Sequence, residues 1–138
     1  GIQDSLSQED LNTYINKDII EHFGETDTVS DYYKQCSVYV LPSYREGTPR
    51  TVLEAMSMGR AVITTHAPGC RETVIDGETG YLVPTHNGQA VAEKMIEFIE
   101  HPELISTMGG KSREYCKNKF DVNKVNNDMC KYLKIGVI

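Results

Sequence analysis

Long apolar runs are missing from this 138-residue sequence. The longest, such as residues 38–42 and 61–63, are far shorter than the roughly 20 residues that cross a bilayer. No apolar stretch of the signal-peptide kind follows Gly1, and a first residue other than Met predicts that the natural N-terminus lies upstream. We therefore expect no membrane-spanning segment and a chain that is part of a longer protein.

A surplus of positive charge is also missing. The sequence contains 14 Lys and Arg against 20 Asp and Glu, which gives a formal net charge of -6. Binding to a nucleic-acid backbone needs basic residues gathered on one face, so nucleic acid is not an expected partner. Apolar residues make up 39% and charged residues 25% of the sequence, as in a folded globular domain, and the length suits one domain.

Metal-ligand and disulfide patterns are missing as well. The four cysteines contain no Cys-x-x-Cys pair, and the four histidines stand singly, at no zinc-ligand spacing. This pattern predicts that the protein binds no metal ion and that its thiols are free, as in a cytoplasmic protein. His66 stands near Cys70 in sequence, but such proximity is poor evidence for a catalytic pair, so we expect no cysteine catalysis. The eight residues are Cys36, Cys70, Cys116, Cys130, His22, His66, His86 and His101.

Short apolar segments alternate with segments of helical periodicity along the chain. The apolar segments predict strands at residues 19–23, 37–41, 61–64 and 81–83. Helices are predicted at about 7–15 and 29–36, from Pro49 to about residue 58 with Thr48 as the cap, at 71–75, and at about 87–100, 103–117 and 122–133. This alternation indicates a doubly wound, Rossmann-like α/β fold with a parallel sheet.

The loop after the predicted strand 37–41 is the first place to look for a ligand, because ligands of such sheets bind at the carboxyl ends of the strands. This loop holds Glu46, and the helix after it holds Glu54. Since Pro49 has no amide hydrogen, the next two amides are left to hold a phosphate at the helix start. Carboxylates on either side of that phosphate suit the hydroxyls of a ribose and of a second sugar. The spacing alone leaves open that both acids are merely solvated.

The residues around this loop resemble a known family. Glu46 and Glu54 stand in an E-x7-E arrangement within the segment 46–63, Glu-Gly-Thr-Pro-Arg-Thr-Val-Leu-Glu-Ala-Met-Ser-Met-Gly-Arg-Ala-Val-Ile. This segment is similar to the donor-site signature of the GT4-type retaining glycosyltransferases, or glycosyl transferases group 1, which have the GT-B fold. The similarity continues into residues 68–74 and 76–84, especially with bacterial surface-polysaccharide enzymes, and covers about residues 29–132.

The resemblance implies roles for six residues of the loop and the helix. Glu46 is the catalytic residue in this assignment and contacts the hydroxyls of the transferred sugar, whereas Glu54 binds the ribose. The arginine at position 50 departs from the small or apolar residue of many relatives, and its side chain either touches phosphate or points to water. The remaining substrate-binding groups lie along the sugar and the diphosphate: the backbone of Gly47 and Thr48, and the amides of Arg50 and Thr51.

The resemblance also implies what the rest of the protein supplies. Residues 1–138 would be the C-terminal nucleotide-sugar-binding domain, without its first elements and without the N-terminal acceptor domain. An upstream Arg and Lys stabilise the leaving diphosphate in the family, so we expect the isolated chain to be inactive and the reaction to need no metal ion or cofactor. The expected partners are a UDP- or GDP-sugar and a carbohydrate or lipid-linked acceptor. Peripheral contact of the whole protein with the inner face of the membrane fits the family.

Two other classes of function stay open. Other GT-B enzymes, such as a sugar-nucleotide epimerase or a phosphorylase, share the fold but need different carboxylate or cofactor signatures. A non-catalytic sugar-nucleotide-binding module is the second class. A receiver-like module is disfavoured, because it needs an acidic cluster and the loop after Leu41 offers Glu46 alone. The lack of a Gly-x-Gly-x-x-Gly motif after a strand disfavours a dinucleotide-dependent oxidoreductase.

Overall fold

The computed structural model describes residues 6–133, of which the side chains are described up to residue 129. Within this range the chain forms three strands and six helices. In chain order they are α1 (Gln8–Asn16), α2 (Val29–Gln35), β1 (Val38–Leu41), α3 (Arg50–Ser57), β2 (Ala61–Thr65), β3 (Gly80–Val83), α4 (Gly88–Glu100), α5 (Glu103–Phe120) and α6 (Val122–Leu133).

The three strands form one parallel sheet in the order β1-β2-β3. Val38 of β1 pairs with Ala61 of β2, and Val62 of β2 pairs with Gly80 of β3. Helix α3 connects β1 to β2 and packs on one face of the sheet. The predicted α/β fold, with adjacent parallel strands joined by a helix, is confirmed. All three strands end at the same edge, where the site was expected.

Helices cover both faces of the sheet. On the first face Ile63 and Val83 pack with Phe98 of α4 and Met108 of α5. On the second face Val62 packs with Val52 and Met56 of α3 and with Cys116 of α5. Because successive side chains of a strand point to opposite faces, β2 contributes Ile63 to the first core and Val62 to the second. Every residue of β2 is buried, and the doubly wound prediction is confirmed.

Helix α5 packs in both cores, because it crosses the chain at the start of β2, where Gly109 allows a close approach. Met108 lies in the first core and Cys116 in the second. Between them Gly109 is buried against the backbone of Gly59 and Ala61, and a Cβ at this position would collide with the Gly59 carbonyl oxygen. A residue without a side chain is therefore required where the helix crosses the chain.

Two predicted elements are wrong. Residues 19–23 form no strand: the Ile19 N–H donates to the Tyr14 carbonyl at 3.1 Å, Asp18 adopts a left-handed φ of 54°, and Ile19 is 61% exposed. This apolar run closes the end of α1, and without a paired neighbour it has no sheet to join. The helix predicted at 71–75 is a series of turns, in which the Thr73 N–H donates to the Cys70 carbonyl at 3.0 Å.

Substitution of neighbouring glycines tests the crossing of α5. We expect Gly109→Ala to destabilise the fold by about 1–3 kcal/mol, because the added methyl group meets backbone rather than a movable side chain. Gly110→Ala is the matched control: it lies on the same helix with open space around it, and should stabilise by about 0.5–1 kcal/mol. Urea unfolding of both variants measures the difference. Equal effects of the two substitutions would remove the steric argument.

Candidate functional site

The loop between β1 and α3 lies over the carboxyl edge of the sheet, and this loop and the helix after it carry all six predicted site residues. Glu46, Gly47 and Thr48 are exposed on the loop, and Arg50, Thr51 and Glu54 are exposed on the first turns of α3. The E-x7-E spacing therefore places one carboxylate before the helix start and the other one turn inside the helix. The space between the two carboxylates is the N-terminal end of α3.

The loop holds Glu46 in place through both its side chain and its backbone. The Ser43 hydroxyl donates to Glu46 Oε1 at 2.9 Å, and the Glu46 N–H donates to the Pro68 carbonyl at 3.2 Å. The Thr65 hydroxyl, at the end of β2, donates in turn to the Ser43 carbonyl. Glu46 is thus an exposed acid whose loop is tied to the neighbouring strand and its turn.

The turn after β2 supports this loop from below. Gly69 has a left-handed φ of 87°, and a Cβ there would collide with the carbonyl oxygens of Glu46 and Gly47. The Gly69 N–H donates to Glu72 Oε2 at 2.7 Å, and Lys119 Nζ donates to the Glu72 carbonyl at 2.8 Å. The turn is thereby fixed to the end of α5, and its backbone packs directly against the loop that carries Glu46.

Glu72 itself is a polar brace of this turn. Its Oε1 accepts a hydrogen bond from Arg71 Nε at 2.9 Å, and this bond holds the pKa of the Glu72 carboxyl below its ordinary value. The side chain is about half exposed, so the ion pair contributes little to stability. The sequence did not predict this support, because the contact of Gly69 with Glu46 joins segments that are distant in sequence.

The first turn of α3 provides backbone donors. Pro49 is the N-cap, with a ψ of 110° and no side-chain capping bond, so the prediction that Thr48 caps the helix is wrong. Pro49 is buried and Thr48 is exposed, and the Pro49 carbonyl accepts from Val52 at 3.1 Å and Leu53 at 3.3 Å. The amides of residues 50 and 51 come before these two bonded amides, in the first turn of the helix. Amides at a helix N-terminus have no partner within the helix and attract anions.

The side chain of Arg50 extends into solvent. It is 91% exposed, and its Nη2 atom lies 4.0 Å from Glu54 Oε1, one turn along the helix. An exposed pair at this distance contributes little to stability. The side chain thus points to water, one of the two orientations that the sequence left open, and contact with a phosphate stays a prediction.

Glu54 is supported by a tyrosine that the sequence did not single out. The Tyr33 hydroxyl of α2 donates to Glu54 Oε2 across 3.4 Å, while the carboxylate remains 47% exposed. Tyr33 is buried and meets the ring of Tyr39 edge-on at 5.5 Å. A tyrosine hydroxyl keeps its proton at neutral pH and is a donor there, and burial raises the pKa of Tyr33 further above its ordinary value. Glu54 retains lone pairs toward solvent.

A second open space lies beside this loop, on the side of α4. It is a cleft of about 550 Å³ between the strand ends and the start of α4, and Tyr44 and His86 stack at its wall with centroids 4.0 Å apart and planes 10° apart. His86 has a left-handed φ of 57°. Asn87 caps α4 by accepting from the Ala90 N–H at 3.0 Å, as the sequence predicted.

No group of three His, Cys, Asp or Glu side chains suited to a metal ion occurs among the described residues. Cys70 and Cys116 are buried free thiols, and burial raises the pKa of Cys116; the side chain of Cys130 lies outside the described part. Metal independence remains a prediction.

No helix among the described residues has both the length and the apolar character needed to cross a bilayer.

Comparison with known proteins decides the family. The model of the family "Glycosyl transferases group 1" matches residues 3–118. The chain belongs to this family. It is 36% identical over 102 residues to the capsular polysaccharide biosynthesis glycosyltransferase CapM of Staphylococcus aureus, covering 74% of this chain and 26% of CapM.

Two solved structures share the architecture of this chain. The C-terminal domain of LpcC from Francisella tularensis aligns with a TM-score of 0.70 and 25% identity, covering 83% of this chain and 62% of that one. HepE from Anabaena, determined in complex with UDP, aligns with a TM-score of 0.84 and 21% identity, covering 91% and 35%. The chain spans about a quarter of the length of the curated relatives it matches.

The contact between Gly69 and the Glu46 loop can be tested in this glycosyltransferase domain. We expect Gly69→Ala to destabilise it more than Gly77→Ala, by about 1–3 kcal/mol, and to shift the amide resonance of Glu46. Both glycines have a positive φ, so both substitutions cost about 1–2 kcal/mol in backbone strain, but only Gly69 has backbone atoms within reach of a Cβ. Denaturation and amide NMR spectra measure both effects; a Gly69→Ala variant that behaves like Gly77→Ala would contradict the bracing role.

Proposed function

We propose that the protein containing this chain is a retaining glycosyltransferase that transfers a sugar from a UDP- or GDP-sugar to a carbohydrate or lipid-linked acceptor. The single observation that carries the proposal is the sequence of groups along one loop and helix: an exposed carboxylate, two helix-start amides and a second exposed carboxylate. Each matches one part of a nucleotide diphosphosugar. Membership of the glycosyl transferases group 1 family supports the same reaction class.

The donor would lie along α3. The diphosphate binds the amides of Arg50 and Thr51, where the helix dipole favours negative charge. The ribose lies toward Glu54, whose charged oxygens accept hydrogen bonds from the two ribose hydroxyls. The transferred sugar lies on the other side, with its hydroxyls on Glu46 and its ring along the backbone of Gly47 and Thr48. UDP in the HepE complex, on the same fold, supports a nucleotide donor.

The chemical step depends on stabilising charge as the bond between the anomeric carbon and the phosphate oxygen breaks. Negative charge develops on the departing diphosphate, and the amides at the start of α3 are already directed at it, so they need no reorganisation. Glu46 is hydrogen-bonded to Ser43 and keeps Oε2 for the sugar, where positive charge develops on the ring. Further cationic side chains would come from upstream segments, and we propose that no metal ion is needed.

The biological setting belongs to the same proposal. The similarity to the capsular polysaccharide enzyme CapM favours bacterial surface-polysaccharide synthesis. We place the chain as the C-terminal, donor-binding domain of a cytoplasmic protein, with an N-terminal domain that binds the acceptor and can meet the inner face of the membrane. A non-catalytic nucleotide-sugar-binding module, an epimerase and a phosphorylase are the alternatives, and transfer of the sugar from a nucleotide donor to an acceptor by the full-length protein would exclude all three.

Substitution of the two carboxylates in the full-length protein tests the roles separately. Glu54→Gln keeps the shape of the side chain but loses charge-assisted hydrogen bonds, each contributing roughly 1.5–3 kcal/mol, so donor affinity should fall about tenfold to a hundredfold. Glu46→Gln should lower kcat with little change in donor affinity, because its contact strengthens in the transition state.

Steady-state kinetics with varied donor concentration measure both effects, and circular dichroism checks the fold. Glu78→Gln, an exposed acid in the turn before β3, is the matched control and should behave like the unmodified enzyme. Unchanged kinetics in both Glu46→Gln and Glu54→Gln would return the two carboxylates to ordinary surface acids and end the proposal.

The isolated 138-residue chain should show no glycosyl transfer with any donor. The reason is that an acceptor domain and the upstream cations would have to complete the site. An assay of the purified chain with UDP- and GDP-sugars and saccharide acceptors checks this, with the full-length protein as the positive control. Turnover by the chain alone would contradict the division of labour proposed here.

A further inference from the structure

The cleft beside α4 has the composition of a saccharide site. Its walls combine the stacked rings of Tyr44 and His86 with Pro42 and Pro84, and its polar groups include the side chain of Asn87. A pyranose has a face of C–H groups, which packs on a ring or a proline, and an edge of hydroxyls, which needs hydrogen-bonding partners. The cleft offers both kinds of surface.

The ring pair is available to a ligand. Tyr44 is 54% exposed and His86 is also exposed, although each already covers one ring face of the other. A stacked pair keeps an outer face on each ring, and both residues line the cleft. Exposed aromatic rings held together at the wall of a cleft are a preformed platform, because the stacking fixes their orientation before a ligand arrives.

The lining favours an uncharged ligand. None of the residues that line the cleft is Lys, Arg, Asp or Glu. A phosphate or carboxylate would meet no Lys or Arg side chain there, whereas a neutral sugar needs only hydrogen bonds. The volume of about 550 Å³ accommodates more than one sugar ring and is typical of small-molecule sites.

The position of the cleft relative to Glu46 indicates which sugar of the reaction the cleft would bind. Val91 of α4 lines the cleft and packs on the first face of the sheet, whereas α3, with the diphosphate amides, packs on the second face. The Glu46 loop passes over the edge between them. Tyr44 precedes Glu46 by two residues, so their Cα atoms are at most about 7 Å apart. The cleft therefore adjoins the Glu46 loop on the α4 side, whereas α3 lies on the other side of that loop.

We propose that this cleft is a second saccharide subsite, which holds a neutral pyranose of the acceptor on the Tyr44–His86 pair. The inference rests on the proposed function for its acceptor assignment. The same chemistry would also recognise the sugar that is being transferred, and the second arm of the experiment distinguishes these two sources.

The first arm is an amide NMR titration of the 138-residue chain with methyl α-D-glucopyranoside, methyl α-D-mannopyranoside and, as a ring-free polyol control, glycerol. We expect at least one glycoside to shift resonances of residues 43–46 and 86–88, and glycerol to leave them unchanged. Tyr44→Ala should raise the dissociation constant about fivefold, while Tyr44→Phe keeps it within about twofold. Tyr14→Ala, an exposed tyrosine on α1, is the matched control.

Three results would contradict the subsite. They are cleft resonances that do not shift with any glycoside, equal shifts with glycerol, and a dissociation constant that Tyr44→Ala leaves unchanged. The second arm compares Tyr44→Ala and Tyr44→Phe in the full-length enzyme. We expect Tyr44→Ala alone to raise the KM of the acceptor about fivefold, with the KM of the donor unchanged. A raised donor KM would overturn the acceptor assignment. The Glu54→Gln substitution tests the donor site independently of the cleft. If it lowers donor affinity while the cleft resonances do not shift with any glycoside, this inference fails and the proposed function stands.

Discussion

The burial of β2 on both faces is the constraint on which the rest of the structure depends. All five residues are buried, with Ala61 and Ile63 in the first core and Val62 in the second, and each fully buried Val or Ile side chain contributes about 1.5–3 kcal/mol. A strand buried in this way must have a partner on either side, which β1 and β3 provide in parallel. Parallel pairing brings the loops after all three strands to one edge, and the candidate site is made entirely of those loops and of the helix starts beside them.

The edge is assembled by backbone contacts as much as by side chains. The loop carrying Glu46 rests on the turn at Gly69, and that turn is tied through Glu72 to Lys119 of α5. The loop of Glu46 is thus connected through this turn to α5, which packs in the second core. An enzyme that stabilises developing charge needs such fixed positions, because groups that must reorganise during the reaction lose much of their effect.

Local pattern predicted the strands, most helices and the placement of the two carboxylates. The apolar runs of β1 and β2, the Asn87 cap and the E-x7-E spacing are all read from residues close together in sequence. The contacts that build the site join distant segments: Tyr33 to Glu54, Gly69 to the Glu46 loop, and Tyr44 to His86. Periodicity contains no information about such pairs. It also predicted a strand at residues 19–23, which follow α1 and form none.

The central claim is that the start of α3 and Glu54 together bind a nucleoside diphosphate. The most direct test is a crystal structure of the full-length protein with UDP bound. We expect a diphosphate oxygen within about 3 Å of the amide nitrogen of Arg50 or Thr51, and both ribose hydroxyls within the same distance of the Glu54 carboxylate. A diphosphate bound away from the start of α3, or a ribose that does not meet Glu54, would contradict it.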